Sequence, residues 1–252
     1  MNLKFKTIPK LIITLFVVYT PYSMANEFEY TVDASARSYS AGLSVVPTVA
    51  YKFALWGADG DPLQGAMKPK LIADLSPATY SGKAELEFAP VTFFSLSVGR
   101  KLMRRFSTFD EDICRNYNCV GSMNSTDATA KLLFKFGPIM GSLKYTKAFF
   151  DSKDDKSQAL VDPSTYVLIN PTNEIANQIE AIVGTEINDS WMTGVLIQNV
   201  KLEKNHGNQN GQYLVALKKN GHTNYIAGLG RFESQLKVAK PSFIFTFNYN
   251  WQ

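Results

Sequence analysis

The chain is poor in the side chains that most often hold metals or pair as nucleophile and base. Two cysteines and two histidines occur in 252 residues. The cysteines, Cys114 and Cys119, have no histidine or further cysteine beside them to complete a tetrahedral zinc set. The histidines stand apart, His206 in Asn205-His206-Gly207 and His222 in Gly221-His222-Thr223. No phosphate-binding glycine loop, metal cluster or dinucleotide fingerprint is present, so no cofactor, metal or catalytic set is expected. Long apolar runs are lacking too. Beyond residue 19 none approaches the ~18 residues of a transmembrane helix.

What is there begins with targeting. Lys4, Lys6 and Lys10 precede the apolar run Leu11 to Tyr19, and Tyr22-Ser23-Met24-Ala25 closes in a small-x-small pattern. Residues 1–25 therefore read as a cleaved signal peptide that leaves Asn26 first. An uncleaved anchor is the alternative, but the run is short for one. The leader carries three of the 26 basic residues and none of the 22 acidic ones, which leaves 23 against 22. That balance removes the case for a nucleic-acid partner. An exported chain meets an oxidising compartment, so a Cys114–Cys119 disulfide is expected.

The mature chain, 26–252, alternates. Phe243, Phe245, Phe247, Tyr249 and Trp251 interleave with Ile244, Thr246, Asn248 and Asn250. A period of two places every aromatic on one face of a strand. The pattern recurs upstream, as Phe28, Tyr30 and Val32 against Glu29, Thr31 and Asp33, and as Leu132, Phe134 and Phe136 against Lys131 and Lys135. Strands are expected at 27–38, 43–55, 66–75, 82–89, 92–104, 125–136, 139–150, 174–187, 191–202, 211–219, 223–233 and 242–252. Turn chemistry at Ala89-Pro90-Val91, Gly137-Pro138, Asn188-Asp189-Ser190 and Asn220-Gly221 follows even-numbered strands. The long connections, 105–124 and 151–173, follow odd-numbered ones. Such an alternation of short turns and long loops marks a transmembrane up-and-down antiparallel barrel, all-β, of about twelve strands (10–14), with both termini periplasmic. A two-sheet sandwich also alternates, but a membrane strand must pair all its backbone groups, which demands closure. Residues 174–187 also fit a helix, with Ile175, Ile179, Ile182, Val183 and Ile187 on one face. In that case 165–170 supplies the strand.

In this pattern the chain resembles Gram-negative outer-membrane β-barrel proteins, porin-like, with no subfamily assigned. The resemblance implies residence in outer-membrane lipid. It also implies an insertion signal for the barrel assembly machinery at Phe247, Tyr249 and Trp251, from which the chain departs by ending one residue later, at Gln252.

A lumen lined by Glu29, Asp33, Arg37, Lys52, Lys83, Glu85, Glu87, Lys131, Lys135, Lys144, Glu180 and Glu186 mixes both signs. Such a lining suits a passive channel for small polar solutes with weak ion selectivity. The alternatives are a structural barrel whose inward charges pair and close the lumen, or a surface-interaction barrel acting through its outer loops. A barrel-wall hydrolase is the remote third. The His206 stretch is similar to the His-x-Ser of outer-membrane phospholipases, but Asn208 stands in the nucleophile's place, so no enzyme is expected. Tyr39, Trp56, Trp191 and Trp251 suit interfacial girdles.

Overall fold

A computed structural model describes residues 27–39, 42–58, 61–106, 111–151, 159–162, 165–170 and 174–251. The expected leader, 1–25, lies outside them. The strands are β1 (Glu27–Arg37), β2 (Gly42–Trp56), β3 (Gly65–Leu75), β4 (Thr79–Val91), β5 (Phe94–Arg105), β6 (Gly121–Phe136) and β7 (Ile139–Asp151). After a two-strand hairpin, β8 (Leu160–Val161) and β9 (Leu168–Ile169), come β10 (Glu174–Asn188), β11 (Trp191–Leu202), β12 (Asn208–Asn220), β13 (Thr223–Ser234) and β14 (Lys237–Trp251). Twelve of them close into one antiparallel barrel, β7 pairing directly with β10 and β14 with β1. A four-residue helix, α1 (Glu111–Cys114), is the only helix among the described residues.

Closure runs through the chain ends, with Tyr30 opposite Trp251 and Arg37 opposite Ile244. Both termini therefore lie at one end, the periplasmic end in this architecture. Two-residue turns join β6 to β7, β10 to β11 and β12 to β13 there. Gly137 and Gly221 take φ of 58° and 57° in two of these turns, a left-handed conformation that glycine adopts at no steric cost. The connection after β2 is longer, and it is held against its neighbour, because Thr92 donates from its amide and its hydroxyl to the Pro62 carbonyl at 3.1 and 3.0 Å.

Two expectations change. Ala89-Pro90-Val91 belongs to β4, and the turn falls at Thr92-Phe93. Proline has no amide to give to the ladder, and the β4–β5 register shifts between Phe88 and Val91, the kind of irregularity that accommodates it. The helical alternative for 174–187 does not form, since these residues pair with β7 on one side and β11 on the other. The i, i+4 spacing of Ile175, Ile179, Val183 and Ile187 is even, so it satisfies a strand face as well as a helix face. Tertiary pairing decides between the two readings, and Ile182 faces the opposite way.

The two faces of the wall differ sharply. Phe28, Leu43, Leu71, Leu86, Val98, Leu132, Leu214, Leu229 and Phe243 are exposed on the outer face. An apolar surface of that extent is unstable in water and is what acyl chains require. Trp56 lies over Gly65 and Phe134 over Gly141 on cross-strand partners, where a Cβ would collide with each ring. The aromatic thus covers backbone that glycine leaves bare.

Candidate functional site

The pairing registers fix which side chains share the inner face, because directly opposed residues point the same way. Starting from Glu27 opposite Lys52 and following the register around the ring, all twelve charged positions expected to line the lumen fall on that face. Most lie along the wall in pairs. Lys68 holds Glu29 at 2.8 Å, Lys70 holds Glu87 at 2.7 Å, and Lys135 holds Glu186 at 2.8 Å. Lys83 reaches Glu85 at 2.5 Å and Asp127 at 2.6 Å, Lys101 reaches Asp74 at 3.2 Å, and Lys52 approaches Glu27 at 3.8 Å. The Asn248 amide donates to Asp33 at 2.6 Å, and Gln198 donates to Glu180 at 3.1 Å. Arg37 stacks its guanidinium 4.2 Å over the Phe232 ring. Lys131 and Lys144 face each other across β6 and β7.

Several of these pairs skip a strand, and small residues between them make that possible. Lys83 on β4 crosses β5 at Gly99 to reach Asp127 on β6, and a Cβ on Gly99 would sit 2.4 Å from the Lys83 Cε. Lys68 on β3 and Glu29 on β1 meet across β2, where Ala50 is buried. Side chains that run sideways to a partner neutralise one another along the wall.

The facing wall carries an apolar patch. Leu196, Tyr213, Val215 and Ile244 form a buried cluster with Ile182 and Ile226 packed against it. β13 contributes glycines at its inward positions, and Val215 and Ile244 close over Gly228. The inner face is therefore uneven, charged along β1–β7 and β10, with an apolar patch on β11–β13 that Ile182 of β10 and Ile244 of β14 complete.

The outer mouth is crossed by the β8–β9 hairpin. Leu160, Val167 and Ile169 pack against the inward Met123, Phe150, Val200 and Leu202. On its other side Val161 and Tyr166 meet Ile113 and Cys119. Cys114 and Cys119 are joined by a disulfide in that second loop, with their Cα atoms 5.5 Å apart. The Val161 amide donates to the Asn118 carbonyl at 3.0 Å, tying the two loops together. The far edge reaches the β13–β14 turn, where the Leu168 amide donates to Gln235 at 3.0 Å and Lys237 lies 5.6 Å from the Tyr166 ring. Arg105 anchors the hairpin from the wall. Its side chain is 1% exposed, and it donates to the Val161 carbonyl and to the Met123 sulfur at 3.7 Å. Arg105→Met leaves that buried carbonyl unpaired, at a cost of about 1–3 kcal/mol. The variant should show faster proteolytic nicking within 159–170 while its heat-modifiable barrel band persists on gels.

At the outer rim the Asn177 amide and the Lys147 ammonium, 2.9 and 3.3 Å away, hold the Glu203 carboxyl below its usual range. His206 lies in the outer β11–β12 connection and His222 in a periplasmic turn, so the two stand at opposite ends of the barrel. On the outward face of β14, Phe247 packs beside Tyr225 at 5.5 Å and Tyr249 beside Trp251 at 6.4 Å.

Sequence reasoning missed Lys68, Lys70, Asp74 and Lys101 as lumen residues, although the first three alternate with Met67, Pro69, Leu71, Ala73 and Leu75. It also missed the hairpin. Its signal was the pair of short apolar stretches, Leu160-Val161 and Val167-Leu168-Ile169, inside an otherwise polar connection.

No protein-family model matches the chain, and no curated protein matches it. Among solved structures it is similar to an outer-membrane channel from Pseudomonas putida F1, at 9% identity and a TM-score of 0.50, over 89% of this chain and 93% of that one. The NanC porin aligns at 9% identity and a TM-score of 0.45, over 87% and 98% of the two chains. The Vibrio cholerae outer-membrane protein OmpT aligns at 9% identity and a TM-score of 0.44, over 90% and 99%. The likeness to the first is one of fold, that of the bacterial outer-membrane barrel.

Proposed function

We propose that this outer-membrane barrel is a passive channel for small polar solutes, narrowed at its outer mouth by the β8–β9 hairpin. The observation that carries the reading is the charged inner wall of β1–β7 and β10. Its groups are paired sideways, and Lys131, Lys144 and Glu180 remain exposed on the inner face. A barrel with a filled interior has no use for water-exposed charges on that face, since barrels of about eight strands already fill their interiors with side chains and larger ones enclose space. Pairs of opposite sign predict weak ion selectivity along most of the path.

Assembly belongs to the same reading. Phe247, Tyr249 and Trp251 present an aromatic stripe at the final strand, the form of signal that the barrel assembly machinery reads in proteins of this kind. The strand that carries it also closes the barrel against β1.

The test is single-channel recording of residues 26–252, refolded in detergent and added to planar bilayers. Reproducible steps of small amplitude are expected. A β-rich, heat-modifiable protein that gives no steps would instead support the closed structural barrel.

A further inference from the structure

We propose that Lys131 and Lys144 form an anion-binding step within the lumen, so that the solute class is small organic anions bearing a carboxylate or phosphate. This rests on the channel reading for its transport role, though not for the binding itself.

The two lysines are set apart from their neighbours. Every other inward lysine described on β1–β7 has a carboxylate within 4.0 Å: Lys52, Lys68, Lys70, Lys83, Lys101 and Lys135. Among the described residues Lys131 and Lys144 have none. They are also directly opposed in the β6–β7 register, and like charges placed so oppose each other. The other directly opposed lysines of this wall, Lys83 and Lys101, are answered by Asp127 and Asp74, whereas no carboxylate comes within 4.0 Å of Lys131 or Lys144 among the described residues.

The nearest register neighbour of opposite sign, Glu180, lies across from Lys144 on β10. Its carboxylate is engaged by Gln198 at 3.1 Å. Both lysines are exposed, so their ammonium groups keep their donors for a guest. Hydroxyls border them. Ser95 is the β5 partner of Lys131, and Thr129 and Thr146 share a 2.9 Å hydrogen bond one inward step toward the outer end. Two ammonium groups side by side, ringed by hydroxyls and held in lowered dielectric, favour an oxyanion over a neutral solute.

The experiment compares the wild-type mature barrel with K131Q/K144Q and with the neutral-pair control K135Q/E186Q. It has two arms, reversal potential in a KCl gradient and calorimetric titration with inorganic phosphate and with acetate. The wild type and the control are expected to prefer chloride and to bind the oxyanions. In K131Q/K144Q the chloride-to-potassium permeability ratio should fall at least about threefold, and phosphate affinity about tenfold. Equal ratios and equal affinities across the three proteins would overturn the proposal. If no protein conducts, the channel reading fails, and the titration alone decides the site. Binding lost only in K131Q/K144Q sustains it, and binding absent or unchanged overturns it.

Discussion

Replacing residues 159–170 by a short Gly-Ser linker is expected to raise single-channel conductance several-fold while leaving the barrel folded. The hairpin spans the mouth from the β6–β11 side to the β13–β14 turn, so it narrows the path there. It pairs within itself, Leu160 with Ile169 and Val161 with Leu168, and by one parallel bridge to Asn118, and the twelve-strand ring closes without it. Removal therefore opens the path without cutting the wall. The cost falls on packing, because Met123, Phe150, Val200 and Leu202 lose the apolar groups that cover them. Each newly wetted large side chain forfeits about 1.5–3 kcal/mol at most, so a lower thermal midpoint should accompany the larger steps. Unchanged step size in a folded deletion variant would mean that the hairpin does not control the path.

Lys83→Met should be the most damaging single change in the lumen. Lys83 joins Glu85 and Asp127, whose side chains are each 10% exposed, and is itself 17% exposed. Its loss strands the largely buried Asp127 carboxylate, while Glu85 keeps Lys70 at 3.6 Å, and breaking a buried pair on one side costs about 3–5 kcal/mol. Replacing both ends, Lys83→Met with Asp127→Leu, should recover a substantial part, because no unpaired charge then remains at Asp127. Gly99→Val should act in the same direction, since its side chain occupies the space that Lys83 crosses. Urea unfolding in detergent micelles reads all three. A double-variant loss as large as that of Lys83→Met, or larger, would show that an unpaired charge at Asp127 is not what makes the single change costly.

The wall of this barrel was legible in its sequence because each strand alternates. β10, β11 and β13 fall within a residue of the strands expected from alternation alone. Lys131 and Lys135 announce an inward face by alternating with Leu132, Phe134 and Phe136. Alternation fails where its contrast fades. The Gly121–Asn124 start of β6 and the Lys237–Lys240 start of β14 lack strong apolar residues on one face, and both lie outside the strands expected from alternation. The hairpin was hidden for another reason. Its two apolar stretches are too short to show any period, and what buries them is the inner face of strands remote in sequence. Long-range ion pairs stayed hidden likewise. Lys83 and Asp127 are 44 residues apart, and only the β4–β5–β6 register brings them together over Gly99.

The most direct test of which face meets lipid is cysteine scanning along β2 in liposomes. A membrane-impermeant thiol reagent that enters the lumen should label Ser44→Cys, Val46→Cys and Thr48→Cys. It should spare Leu43→Cys, Val45→Cys and Val49→Cys, whose positions lie on the exposed apolar face, and a lipid-borne quencher should reach probes at those positions instead. Labelling that ignores the two-residue period, or that follows it in the opposite phase, would contradict the account.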